Sequence, residues 1–188
     1  EINIRSAEKI GISAIIIEDK KGAKQNSLTV TGNKQPQESI SQFSLKIKRG
    51  VKNKISKDFM IIARIESLIM SKPMSDAIKR AIAYVKAGVD GIMIHSKLKE
   101  PSEILKFAKS FRKFNKTTPL ICVPSTYNQI KENILKRHGF NIVIYANQLL
   151  RSSYFAMSNV ASDILKNSRA KESEKKMTSI KKIINLIP

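Results

Sequence analysis

Five short runs of β-branched and aliphatic residues constrain this chain more than anything else in it. They are Ala14–Ile17, Phe59–Ala63, Gly91–Ile94, Leu120–Val123 and Ile142–Ala146. None alternates apolar with polar residues. A strand with one wet face alternates, whereas an unbroken apolar strand is covered on both faces, as in a parallel sheet sandwiched by helices. Helical periodicity fills the intervals. Ser75–Ala87 places apolar residues at 77, 78, 81, 82 and 85, with Ser75 as N-cap and Gly88 as stop. Ser102–Phe114 follows Pro101 and carries Ile104, Phe107, Ala108 and Phe111 on one face. Ile130–His138 ends before Gly139, and Ser152–Leu165 follows the last run. Ile4, Ala7 and Ile10, ahead of Gly11, read as the tail of a first helix.

The chain therefore alternates helix and strand throughout, which predicts an α/β fold with a parallel sheet, either barrel or doubly wound. A complete eight-stranded barrel takes about 250 residues. Five strands in 188 residues are too few, so an open sheet with an exposed apolar edge is expected. Beyond Asn167 the polar stretch Ser168–Lys176 reads as a linker and Ser179–Ile187 as a short amphipathic piece. The expected organisation is 1–167 as one domain and 168–188 as a tail leading toward a further domain.

No apolar run reaches the roughly 20 residues of a membrane span. The start of the chain lacks the basic and apolar regions of a signal peptide. A single cysteine, Cys122, forms no internal disulfide. These features fit a reducing, cytoplasmic setting. The formal net charge of +20 raises nucleic-acid binding as a reading. However, the lysines are spread along the whole chain, Trp is absent, and aromatics do not interleave with basic residues as a stacking platform requires. The expectation is a solvated basic surface, with no nucleic-acid and no membrane partner.

Polar residues follow every strand: Glu18, Asp19 and Lys20; Arg64 and Glu66; His95, Ser96 and Lys97; Pro124, Ser125 and Thr126; Asn147 and Gln148. In a barrel such positions converge on one face, where active sites sit. Arg offers a fork for phosphate or carboxylate, and His adds a hydrogen bond. Glu18 alone is a thin ligand set for a hard cation. A rim salt bridge between Glu18 and Arg64, and a core role for His95, are the competing structural readings. Asp19, next along the strand, points the other way. His138, at a helix C-terminus, is explained by the helix dipole. The segment Lys20–Lys34 exceeds an ordinary βα connection and reads as a lid.

The segments IIIEDKKGAKQNSL, FMIIARIESLI, AIKRAIAYVKAGVDGIMIHSK, PLICVPSTYN and IVIYANQLLRS resemble, in order and approximate spacing, the phosphoenolpyruvate mutase family of the isocitrate lyase superfamily. The resemblance implies a (β/α)₈ barrel, here partial and lacking its N-terminal strands. It also implies Mg²⁺ dependence and a homo-oligomer in which a C-terminal helix packs on a neighbouring subunit. Lys24-Gln25-Asn26-Ser27 looks like the mutases' Lys-x-Asn-Ser. The superfamily's lyases carry a Cys-containing loop there, and phosphonopyruvate hydrolases tend to have Thr near the Asn.

By resemblance, Glu18 belongs to the Mg²⁺ shell through water. Arg64, His95, Asn26 and Ser27 hold the substrate, and Lys24 and Asn26 act from the lid. The implied reaction interconverts phosphoenolpyruvate and phosphonopyruvate. Phosphonopyruvate hydrolysis or a related carbon–carbon lyase activity is the alternative, and nucleic-acid binding a further one. Nothing here matches the family's metal-binding aspartates, so this chain alone is expected to be inactive. Gln148 stands where the family often has His, and Ser71 and Pro73 where it often has Gly.

Overall fold

The computed structural model describes residues 2–22 and 36–186. These divide into two compact units, 1–144 and 145–188. In the first, α1 (Ile2–Lys9) leads into β1 (Ala14–Glu18), followed by α2 (Ile40–Lys52), β2 (Met60–Ile65), α3 (Met74–Lys86), β3 (Gly91–Ile94), α4 (Ser102–Phe114), β4 (Leu120–Cys122), α5 (Glu132–Arg137) and β5 (Ile142–Val143). The strands form one parallel sheet in the order β1-β2-β3-β4-β5. The sheet is not closed: among the described residues β1 and β5 each pair on one side only. The partial barrel expected from the sequence is what the chain forms.

Alternation along each strand sorts side chains onto two faces. Ala63, Ile65, Ile92, Ile94, Leu120 and Cys122 join the main core with Phe43, Ile47, Ala81, Tyr84, Phe107 and Phe111 of the helices. Ile62, Met93 and Ile121 form a smaller apolar layer on the opposite face. Gly91 belongs to this tight layer: a Cβ there would come within 2.9 Å of Ile121 Cδ1. Burial pushes the Cys122 thiol up to about 12, so it is an inert core residue.

Several boundaries differ from the sequence expectation. Between β1 and β2, where the sequence pattern marks out no clear helix, α2 buries Phe43, Ile47 and Gly50 and is capped by Ser39, which accepts from Gln42 N at 3.2 Å. Ser75 is not the N-cap of α3. Pro73 occupies that position without a side-chain bond, and Asp76 lies in the first turn. β5 is two residues rather than five, because the ladder with β4 extends only to Cys122–Val143. Ser71 adopts φ 57°, a conformation that glycine reaches without strain.

β1, at the sheet edge, lines an open groove of about 1150 Å³ with α1 and α2, where Ile16 is 42% exposed and Lys21, Lys46 and Arg49 stand nearby.

The second unit contains α6 (Gln148–Asn167), a 3₁₀ turn (Lys171–Lys176) and α7 (Ile180–Ile184). α6 ends on Ser168 at φ 50°. The polar stretch after it carries that 3₁₀ turn, in which Ser173 is buried and Lys176 pairs with Asp163 of α6 at 2.6 Å. The compact units thus divide before α6 rather than after it. No helix among the described residues is long and apolar enough to cross a membrane.

Candidate active site at the strand ends

The face carrying Ile62 and Met93 continues upward into charge. Two residues beyond Ile16 comes Glu18, beyond Ile62 come Arg64 and Glu66, and beyond Met93 comes His95. Parallel register fixes these levels, since Glu18 lies beside Arg64 and Arg64 beside Met93. The structure therefore brings Glu18, Arg64 and His95 to the carboxyl ends of three adjacent strands, on one side of the sheet.

Arg64 spans two carboxylates: Nη1 lies 3.1 Å from Glu18 Oε1, and Nε donates to Glu66 Oε1 at 2.6 Å. Lys20 Nζ bridges the same pair, 3.0 Å from Glu18 Oε2 and 3.3 Å from Glu66 Oε2. The rim ion pair weighed as a structural reading is therefore present. Glu66 is fully buried, so its two cations are what allow its charge there. The four formal charges of this cluster cancel.

His95 is 4% exposed. Burial, helped by the Arg64 cation and opposed by Glu66 and Glu18, holds its imidazole down at about 4, so it is neutral at physiological pH. Its Nδ1 has no hydrogen-bond partner among the described residues. Its ring lies 6.4 Å from that of Tyr127, tilted by 54°, an ordinary aromatic contact, so the ring packs as a core residue while Nδ1 is left over for another partner. Ser96 and Thr126 brace the loops instead: Ser96 Oγ donates to Glu103, and Thr126 Oγ1 donates to Ser96 O at 2.8 Å.

Asn147 and Gln148 lie in the second unit, where Asn147 N donates to Gln148 Oε1 at 3.1 Å. Lys24, Asn26 and Ser27 lie outside the described residues.

Sequence reasoning did not single out a second cluster, behind the first. Asp19 points away from Glu18, as alternation requires, and is fully buried. Its Oδ2 accepts from Gln37 Nε2 at 2.8 Å, Arg80 Nη1 at 3.1 Å and Tyr84 OH at 2.8 Å, and its Oδ1 from Glu66 N at 3.0 Å. Burial raises its carboxyl above the ordinary range, with these four donors pulling the other way. Arg80 Nε also donates to Asp76 Oδ2 at 2.9 Å, as does Ser67 Oγ at 2.7 Å. Burial works against the Asp76 charge, but the bonds from Ser67 and Arg80 prevail and hold its carboxyl below the usual range. The i, i+4 spacing of Asp76, Arg80 and Tyr84 was the available signal.

Direct magnesium binding asks for several oxygen ligands in near-octahedral array. Glu18 and Glu66 are both engaged with Lys20 and Arg64, and no group of three or more His, Cys, Asp or Glu among the described residues could hold a metal. The described residues alone do not fit a magnesium site.

The chain is 34% identical over 183 residues to the phosphoenolpyruvate phosphomutase of Tetrahymena pyriformis, covering 97% of this chain and 60% of that one. It is 37% identical over 180 residues to the phosphonopyruvate hydrolase of Variovorax sp. (strain Pal2), covering 95% and 61%. A crystal structure of phosphoenolpyruvate phosphomutase from Streptomyces platensis subsp. rosaceus superposes with a TM-score of 0.90 at 33% identity, covering 97% of this chain and 62% of that one. A phosphonopyruvate hydrolase complexed with oxalate and Mg²⁺ gives 0.83 at 35% identity, covering 97% and 61%. The chain thus spans about three fifths of the length of these relatives. The profile of the family described as phosphoenolpyruvate phosphomutase matches residues 1–165, and the chain belongs to that family, within the isocitrate lyase superfamily.

Proposed function

We propose that the strand-end cluster is the phosphoryl-binding half of a phosphoenolpyruvate mutase site. The observation that carries this reading is the meeting of Arg64 and a buried, neutral His95 on one face. Arg64 presents a planar fork suited to phosphoryl oxygens, and neutral His95 donates from one ring nitrogen. The cluster without substrate sums to zero charge, so a dianionic phosphoryl group needs positive charge from elsewhere. Lys24 is one proposed source. A divalent cation near Glu18 is the other, in line with the Mg²⁺ of the hydrolase complex. Its remaining ligands would come from outside the described residues.

Moving phosphorus between the enol oxygen and the methylene carbon of pyruvate passes through a loose, metaphosphate-like group. Fixed donors such as Arg64 and His95 stabilise that group without reorganising, and excluding water keeps it from hydrolysis. Asn26, in the Lys-x-Asn-Ser pattern with Ser27, favours the mutase. The identity to a phosphonopyruvate hydrolase keeps hydrolysis as the second reading. The exposed apolar side chains of α6 support a homo-oligomer built through this helix.

The discriminating experiment is ³¹P NMR of phosphonopyruvate with Mg²⁺ and this chain joined to the N-terminal strands of a relative. Phosphoenolpyruvate as product supports the mutase. Inorganic phosphate identifies a hydrolase, and neither product rejects both. The 188-residue chain alone is expected to turn over at least about a hundredfold more slowly, because weak cation binding removes several kcal/mol of stabilisation.

A further inference from the structure

The two clusters at the top of β1 and β2 share a backbone. Asp19 N donates to Arg64 O at 3.1 Å, Asp19 Oδ1 accepts from Glu66 N at 3.0 Å, and Asp19 O accepts from Glu38 N at 2.9 Å. Thus the residue directly after Glu18 grips Arg64 and Glu66 by their main chains. The side chains of Glu18, Arg64 and Glu66 meet on the opposite face. Asp19 is itself held from behind. Arg80 Nη1 reaches Asp19 Oδ2, Glu38 O at 2.8 Å and Tyr84 Oη at 2.9 Å, while Tyr84 donates to the same carboxylate oxygen. The ring of Tyr84 rests against Phe43 of α2 with centroids 4.8 Å apart. One buried carboxylate therefore ties β1, the turn after β2, the segment just before α2 and the middle of α3 together.

We propose that Asp19, supported by Arg80 and Tyr84, is the positioning residue for the Arg64–Glu66 pair. It fixes the plane of the Arg64 guanidinium without touching substrate. The physical reason is leverage. Arg64 is aimed by its Nε bond to Glu66, and Glu66 can hold it only if its own backbone stays put. The sole main-chain N–H between Ile65 and Ser67 is bound by Asp19. Replacing the carboxylate with an amide sets an NH₂ against donors that now compete for one oxygen, and charge-assisted bonds become ordinary ones. The importance of this aim for anion binding rests on the phosphoryl-site reading above; the positioning itself does not.

The test is solvent exchange of the Arg64 Nε–H, followed by NMR on the 188-residue chain, with the amide of Ile92 in the core of β3 as a measure of global opening. Asp19→Asn should speed Arg64 Nε–H exchange by about tenfold, the scale of one lost charged hydrogen bond, with Ile92 unchanged. Tyr84→Phe keeps the ring against Phe43 and removes one donor. It should give a smaller acceleration, roughly threefold, and it serves if Asp19→Asn does not fold. The proposal is overturned if Arg64 exchange stays within about twofold of wild type in the folded variants, or rises only in step with Ile92. The two readings fail separately: if Arg64 exchange responds to Asp19→Asn while the ³¹P experiment above gives neither phosphoenolpyruvate nor inorganic phosphate, the positioning role stands and the phosphoryl site falls.

Discussion

Helices α4 and α6 are both amphipathic and rich in large apolar side chains, yet they meet different ends. α4 buries Ile104, Phe107, Ala108 and Phe111 in the main core, and the two phenylalanine rings stack at 5.9 Å. α6 has 20 residues and buries none of them. Leu149, Leu150, Tyr154, Phe155, Met157 and Leu165 all face solvent. Periodicity makes a helix, but only a surface to pack on turns it into stability. The contrast separates residues that hold this chain together from residues available to another chain.

The sharpest way to break that contrast is a pair of truncations. Phe111→Ala should cost about 3–5 kcal/mol in denaturant unfolding, the usual range for a buried ring. Phe155→Ala should stay within about 0.5 kcal/mol, as exposed substitutions do. Equal costs would show that α6 is part of the same core.

Burial of a polar ring provides a second, slightly smaller test. His95 is held down at about 4 against an ordinary value of 6.5. Between those values the unfolded chain binds a proton that the folded chain does not, so stability rises with pH through that window. It is fully present above 6.5 and lost as pH falls toward 4, by up to roughly 3 kcal/mol. Chemical denaturation at pH 4.5 and 7 should show this slope in wild type and a flatter one in His95→Gln. The groups that set it are Arg64, Glu66 and Glu18, all on neighbouring strand ends.

Association gives the third. If α6 packs on a second copy, Tyr154→Glu with Phe155→Glu should weaken self-association by about 2 kcal/mol or more, read by sedimentation equilibrium, while unfolding of 1–144 is unchanged. A wild-type chain that stays monomeric at high concentration would remove the oligomer from the proposal.

The smallest expected effects are at the turns. Ser71 and Ser168 both sit at positive φ, where a side chain is strained. Ser71→Gly and Ser168→Gly should each stabilise by about 0.5–1 kcal/mol. A loss at Ser71 would mean that its side chain makes a compensating bond.

How far the sequence could be read follows from the range of the forces involved. β3 and α4 were legible to the residue because their patterns are local: an unbroken apolar run after Asp90, and Pro101 opening a clean helical face. α2 was harder, since Ser41, Gln42, Ser44 and Lys46 dilute its face and only Phe43, Ile47 and Gly50 mark the buried side. β5 fell short because pairing with a three-residue β4 sets its length, not its own propensity. At the site, Glu18, Arg64 and His95 were readable as strand-end residues, and alternation alone turned Asp19 inward. The partners of Asp19 were not readable. The i, i+4 spacing links Arg80 and Tyr84 to each other, but they lie 61 and 65 positions from Asp19, and no linear pattern joins them to it.

The free edge of β1 has a consequence for the chain in solution. Among the described residues the outer side of β1, with Ile15, Ile16 and Ile17, has no strand beside it, and such an edge is a template on which another strand can add, seeding aggregation unless something keeps neighbours away. Here that guard is charge. Lys21 and Arg49 line the groove beside the edge, where Lys46 is paired with Glu38, on a chain of net charge +20. Repulsion of this kind reaches about 10 Å at 0.1 M salt and only about 3 Å at 1 M. The protein should therefore stay dispersed in dilute buffer and clump as salt rises, the reverse of ordinary salting-in, because the ions that calm its surface also expose its edge.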